Sequence, residues 1–192
     1  MRNYVAAAVL GFCMLLALCA CAKQSAFDMK SVAEFYANVQ SASATAQIET
    51  NTGVLANYKI EYSRQGDRSQ VSITEPAALA GITAEISADM ALVTYADSTS
   101  FECLLPEYFG YTPISALDGV MRDLATALIG NYNFEKRGEQ KTVALTYTQD
   151  LAGVAGEKRI WLDAQTLLPL YAEIYLDGDM VMSLTIQNFK KG

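Results

Sequence analysis

Two-residue alternation of apolar and polar side chains, resumed many times along the chain, is what most limits its fold. Ala44, Ala46 and Ile48 alternate with Gln47 and Glu49, and Tyr58, Ile60 and Tyr62 with Lys59 and Glu61. Val71 and Ile73 alternate with Ser72 and Thr74, and Ile82, Ala84 and Ile86 with Thr83 and Glu85. A period of two puts successive side chains on opposite faces, so each run predicts a strand with one dry and one wet side. Further strands are expected at 91–96, 132–137, 142–149, 158–163, 170–176 and 180–189, about ten in all. Turn chemistry separates them: Gln65-Gly66-Asp67, Pro76, Ala88-Asp89-Met90, Gly138, Gly153, Gly156, Pro169 and Asp177-Gly178-Asp179. Strands that are apolar on one face only form antiparallel sheets with one side in water, whereas buried parallel strands read as unbroken apolar runs.

Two segments change to the helical period. Across 28–41, Met29, Val32, Phe35, Tyr36 and Val39 share a stripe, with Asp28 as cap. Across 112–130, Ile114, Leu117, Met121, Leu124 and Leu128 do the same, with Pro113 in the first turn and Gly130 as the stop. The expected fold is therefore α+β and mostly β: one curved antiparallel sheet with two long helices on its concave face. Helices of about 14 and 17 residues cover less apolar surface than a sheet of that width presents, which leaves a groove between helices and sheet. The opposite outcome is that curvature, loops and the Leu104-Leu105 segment fill it.

The 192 residues are 52% hydrophobic and 18% charged, a composition that encloses a core and suits one domain. There is no histidine, which removes His-based nucleophile systems, histidine general bases and the common histidine metal sites. The net charge of -7 disfavours nucleic acid, whose binding needs lysine and arginine to displace counterions. Asp118 and Asp123 lie five apart on the expected second helix, about 140° around it, and do not converge. No catalytic, metal or cofactor site follows, and the chain reads as a binding protein. Lys136-Arg137-Gly138-Glu139-Gln140-Lys141 reads as a solvated hairpin tip, and Asp177-Gly178-Asp179 is too short for a calcium loop.

The N-terminus is an export signal. Arg2 precedes an uncharged stretch, 3–22, and polarity returns at Lys23, Gln24 and Ser25. That length also suits an uncleaved membrane anchor. Leu18-Cys19-Ala20-Cys21 looks like the lipobox of bacterial lipoproteins, with a small residue before the cut and a thiol after it to carry the diacylglyceryl group. The reading is a signal peptide over 1–20, lipidation at Cys21, a tether over 21–27 and a folded domain over 28–192. Cys19, the rival acceptor, follows the bulky Leu18 and fits worse. Two or three acyl chains hold a protein firmly where one is marginal. Cleavage removes Arg2 and none of the 21 acidic residues, so the domain stays acidic. Of the four cysteines, Cys103 alone falls in the folded part, which excludes an intradomain disulfide, and it reads as a small buried hydrophobe.

The parts together resemble the superfamily of the lipoprotein carrier LolA, the outer-membrane receptor LolB and the N-terminal domain of RseB. The resemblance is carried by Val71-Ser72-Ile73-Thr74-Glu75-Pro76 leading into Gly81-Ile82-Thr83-Ala84-Glu85-Ile86. It is carried further by Ile160-Trp161-Leu162-Asp163, then Leu167-Leu168-Pro169-Leu170, Asp177-Gly178 and Ile186-Gln187-Asn188-Phe189. Asp163 and Thr166 suit a turn, Pro169 restarts an extended chain and Gly178 permits a tight hairpin, so these motifs mark a fold and not an activity. The resemblance implies an unclosed β-barrel whose opening is overlain by helices and lined with residues that take up an acyl chain, lipid or lipoprotein. Here the candidates for that hydrophobic groove are Ile60, Val71, Ile73, Ile82, Ile86, Leu117, Met121, Leu124, Met182, Leu184 and Ile186. LolA itself is soluble, and the arginine and exposed leucine loop of Lol transfer have no match here.

A second function class stays open beside the lipid binder. Trp161, Tyr171 and Tyr175 fall on the polar face of their strands, where aromatics suit a protein interface, as in LolA-like lipoproteins that act through an envelope or spore-germination partner. The plainer alternative is a cross-strand aromatic pair that only stabilises a hairpin. Both classes imply an extracytoplasmic domain held at a bacterial membrane by N-terminal acyl chains. Its place is the outer face of the cell membrane, or the outer membrane where there is one, since Ala22 is not the aspartate associated with inner-membrane retention.

Overall fold

A computed structural model describes residues 28–53, 55–88, 90–95, 99–104, 109–126 and 128–192. Cys21 and the export segment lie outside them. The described residues form two helices, α1 (Met29–Ala37) and α2 (Ala116–Leu124), and eleven strands. The strands are β1 (Ser41–Asn51), β2 (Leu55–Gln65), β3 (Arg68–Glu75), β4 (Ile82–Ser87), β5 (Met90–Tyr95) and β6 (Thr99–Leu104). After α2 come β7 (Asn131–Arg137), β8 (Gln140–Leu151), β9 (Val154–Asp163), β10 (Pro169–Leu176) and β11 (Asp179–Lys191).

All eleven strands join in one antiparallel sheet ordered β6-β5-β4-β3-β2-β1-β11-β10-β9-β8-β7. Each strand pairs with its sequence neighbour, except where β1 meets β11 at the middle. β6 and β7 are the two unpaired edges, so the sheet does not close into a barrel. The segment joining those edges carries α2 and must cross from one to the other, which brings the helix over the concave face. This is the one-sided antiparallel sheet that the alternation predicts, in the unclosed form that the family resemblance implies.

Register confirms the two-faced strands. Ala46, Ile60 and Ile73 stand in one cross-strand row and face the core. Ser43, Ser63, Gln70, Glu85, Leu92 and Glu102 form a polar row on the other face. The expected turns hold: Gly66 has φ of 60° between β2 and β3, while Asp177 and Gly178 have φ of 50° and 89° in a two-residue hairpin loop. At the β9–β10 turn Asp163 Oδ1 accepts from the Gln165 and Thr166 amides and the Thr166 hydroxyl. With Gln140 Nε2 donating to its other oxygen, Asp163 is held down to a pKa of about 2.

Three expectations change. Both helices have nine residues, shorter than the periodicity predicts. α1 stops at the Asn38 cap, and Ser41 already pairs with Gln65. α2 starts late because Ser115 accepts from the Gly110 amide and bonds the Thr112 hydroxyl, local bonds that compete with a helical first turn. It ends early because the chain turns extended and the Gly130 amide joins Thr146 O. Leu128, placed on the helical stripe by spacing, is 81% exposed. The third change is the additional strand β6, whose Cys103 lies opposite Ala91 and is half-buried.

Candidate functional site

The concave face divides into a covered middle and two uncovered margins. In the middle, Leu117, Val120, Met121 and Leu124 of α2 are fully buried against Ile60, Val71, Ile86, Leu184 and their neighbours in one continuous core. Among the proposed groove residues, Ile60, Val71, Ile73, Ile86, Leu117, Met121, Leu124, Met182, Leu184 and Ile186 are at most 7% exposed. Ile82 is half-buried. The structure therefore brings the eight strand residues to one concave surface and seats Leu117, Met121 and Leu124 of α2 directly on it. α1 closes one end, where Val32 and Tyr36 are buried and the Tyr36 hydroxyl donates to Leu167 O at the β9–β10 turn (2.6 Å).

Towards the edges the same face reaches water. Ile82, Tyr95 and Thr99 form one cross-strand row, and Ala84, Val93 and Phe101 the next. Tyr95 is 50% exposed and Phe101 56%. On the opposite edge Tyr132 pairs with Leu145 and Phe134 with Val143, and both partners are core residues. Phe134 is 51% exposed, and its ring meets Tyr132 edge-on with centroids 6.2 Å apart. Sequence reasoning names neither Tyr95 and Phe101 nor Tyr132 and Phe134, although the alternation puts each pair on its strand's apolar side. The missing signal was where the helix would stop.

Polar groups pin α2 to both halves of the sheet. Asp118 is 1% exposed and accepts from the Tyr62 hydroxyl (3.0 Å), the Ser69 hydroxyl and Arg122 Nε (2.8 Å). Arg122 also donates to Ala88 O (2.8 Å) and stacks over Phe109 (4.3 Å). Burial, and the carboxylate of Asp118 beside it, push the Tyr62 hydroxyl above the usual tyrosine range. On the other side Lys158, 2% exposed on β9, donates to Asp123 Oδ2 at 2.7 Å and lies 4.7 Å from the Tyr111 ring centre. Burial raises the Asp123 pKa, and Lys158 opposes that rise. The two carboxyls do not converge, as their helical spacing predicts, but each anchors the helix, a role the sequence does not reveal.

Glycines clear the ground for that second anchor. A Cβ on Gly110, whose φ is 84°, would lie 2.6 Å from Lys158 Nζ, and one on Gly119 would lie 2.5 Å from Gly110 Cα. A Cβ on Gly156 would meet the Tyr111 hydroxyl at 2.5 Å. Loop and helix thus approach closely enough to enclose the lysine.

The convex face carries the aromatics proposed as an interface. Trp161 pairs with Tyr171 at a centroid distance of 5.4 Å, and Arg137 lies 4.9 Å from the first ring and 3.8 Å from the second. Trp161 Nε1 donates to Glu135. These contacts leave Trp161 only 8% exposed on a face that is otherwise wet. Tyr175 stands apart from the pair: Arg159 covers its ring at 4.7 Å and its hydroxyl donates to Glu173 (2.6 Å). Arg159, Glu157 and Tyr175 line a cleft of ≈ 410 Å³.

No family model matches the chain, and no curated protein matches it. Solved structures do. An uncharacterized conserved protein from Thermus thermophilus superposes with a TM-score of 0.56 at 14% identity, over 88% of this chain and 88% of that one. A Vibrio parahaemolyticus domain assigned to outer membrane lipoprotein sorting gives 0.50 at 13% identity, over 85% and 90%. A LolA superfamily protein from Nitrosomonas europaea gives 0.45 at 17% identity, over 86% and 94%. At these identities the likeness is one of fold, and the fold is LolA-like. Among the described residues no helix is long and apolar enough to cross a membrane.

Proposed function

We propose that the chain is a bacterial envelope lipoprotein, tethered by acyl chains on Cys21, whose half-barrel receives an acyl chain, lipid or lipoprotein on its concave face. The carrying observation is the exposure of Tyr95, Phe101 and Phe134 on the concave side of the two sheet edges. An aromatic ring half in water on a surface continuous with the core gains by being covered, at roughly 25 cal/mol for each Å² removed from water. A ligand lying on these margins first meets Ile82 and Val93; to reach Ile60, Val71 or Leu184 it must lift α2. The fold supports a binding role over an enzymatic one, since LolA-like scaffolds typically bind or carry.

A photoreactive fatty acid offered to the full chain in bacterial membranes tests this reading. Cross-links should map to β5, β6 and β7; labelling confined to the N-terminal segment would refute it. A second reading, docking of an envelope protein on the convex face, is favoured by Tyr175 and Arg159 beside the cleft. In that reading Arg159→Ala weakens partner capture while melting stays unchanged.

A further inference from the structure

Lys136 and Lys141 stand directly opposite each other across the β7–β8 pair. Only Gly138 and Glu139 separate the closing pair Arg137 and Gln140, and in such a two-residue hairpin the closing pair exchanges both backbone bonds. Pair types alternate from there, so Lys136 and Lys141 form a pair of the other kind, with Cα atoms about 4.5 Å apart and side chains at their closest. Like charges so placed are destabilising. Both lysines are exposed, and among the described residues neither ammonium is in an ion pair. Neighbouring acids are engaged elsewhere: Glu135 accepts from Trp161 Nε1 on the convex face, and Asp163 from Gln140 and its own turn. Residues 136–141 thus hold three cations against the single acid Glu139, on a chain whose net charge is -7. The lysine pair falls on the concave side, in line with Phe134 opposite Val143 and Tyr132 opposite Leu145.

These features together specify an amphiphile. Two ammonium groups on flexible stems, rooted at facing positions, converge on one anion, and an anion between them removes their repulsion. Along β7 the same face continues from Lys136 to Phe134 at about 7 Å and Tyr132 at about 14 Å, which are 51% and 37% exposed. An acyl chain attached to the anion would run over those rings. A zwitterionic headgroup would bring its own cation beside the two lysines and is disfavoured. The opposite margin differs, since its rows Ile82-Tyr95-Thr99 and Ala84-Val93-Phe101 contain no cation. We infer that the β7 margin binds an anionic lipid, its headgroup held between Lys136 and Lys141 and its acyl chain lying along Phe134 and Tyr132. This rests on the reading of the concave face as a lipid-binding surface and names the lipid's class and direction.

The test offers the full chain, held in a non-ionic detergent, equal amounts of dihexanoyl phosphatidylglycerol and dihexanoyl phosphatidylcholine. The two share their acyl chains and differ in net charge, and native mass spectrometry weighs the adducts. The anionic lipid should be favoured by about tenfold, and the Lys136→Gln/Lys141→Gln double variant should bind the two alike. Melting of that variant should be unchanged or higher, because it loses a repulsion. Equal binding of both lipids by the parent, or a preference that survives in the variant, would overturn the inference and leave the lipid-binding reading intact. Adducts of neither lipid would sink that reading and this inference with it. Displacement of the anionic lipid by inorganic phosphate at a similar concentration would make the site one for a free anion and overturn the lipid assignment.

Discussion

The middle and the margins of the concave face are built from the same alternating strands, yet one is dry core and the other meets water. Arithmetic explains the difference. Eleven strands at about 4.8 Å spacing make a sheet about 50 Å across its arc, whereas a nine-residue helix is about 14 Å long and about 10 Å wide. α2 therefore covers the centre, where its buried residues and two carboxyl anchors hold it, and cannot extend to β6 or β7. What a strand pattern calls apolar is core only where something lies over it.

The largest effect separating the two regions should come from the middle. Asp118→Ala leaves the Tyr62 and Ser69 hydroxyls without their shared buried acceptor and Arg122 without its carboxylate. It should cost about 3–5 kcal/mol, read as a lower urea midpoint at constant slope. Asp123→Ala strands the buried Lys158 ammonium and should cost about 3 kcal/mol, most of it restored in the Asp123→Ala/Lys158→Met double variant. A double variant no more stable than the single would show that the pair's charge is not what fixes α2 on that side.

The Asp163 turn gives a smaller, pH-dependent effect. Its carboxyl titrates at about 2 in the fold, against about 3.9 in an unfolded chain. The native state thus binds fewer protons than the unfolded state between those values. The stabilisation is complete above about pH 4 and is lost as pH falls towards 2. Asp163→Asn should flatten the stability profile in that window and leave its slope near neutrality unchanged. A profile identical to the parent's would remove the turn from the account.

The smallest effect on stability belongs to the margins. Phe101→Ser and Phe134→Ser should each cost about 1 kcal/mol, since about half of each ring is covered, while reducing uptake of an apolar ligand. A loss of several kcal/mol in either would make those rings core and erase the contrast between the two regions.

Much of this was legible in the sequence, and what was not follows a pattern. Period-two alternation identified the one-sided antiparallel sheet, and Asp163, Thr166, Pro169 and Gly178 marked the turns, because those signals are local. Helix length is not legible, since spacing continues through Ile114 and Leu128 whereas the ends are decided by Ser115 bonding the loop and Gly130 pairing with β8. β6 carries little local signal, because its six residues show only Phe101 and Cys103 in alternation. The anchors could not be seen at all. Tyr62 and Asp118 are 56 positions apart, and Asp123 and Lys158 are 35 apart, so only the fold brings them together. Lys158 interrupts the apolar side of β9, a signal that could have marked it as paired.

The central claim is that an apolar ligand rests on the uncovered margins. Its most direct test is native and denaturing mass spectrometry of the full chain extracted from bacterial membranes, run beside the Phe101→Ser/Phe134→Ser double variant. The account predicts a lipid adduct on the parent that leaves on denaturation, and that is depleted in the variant despite unchanged folding. A parent free of non-covalent lipid that also takes up none when offered, or a variant that retains its adduct in full, would contradict it.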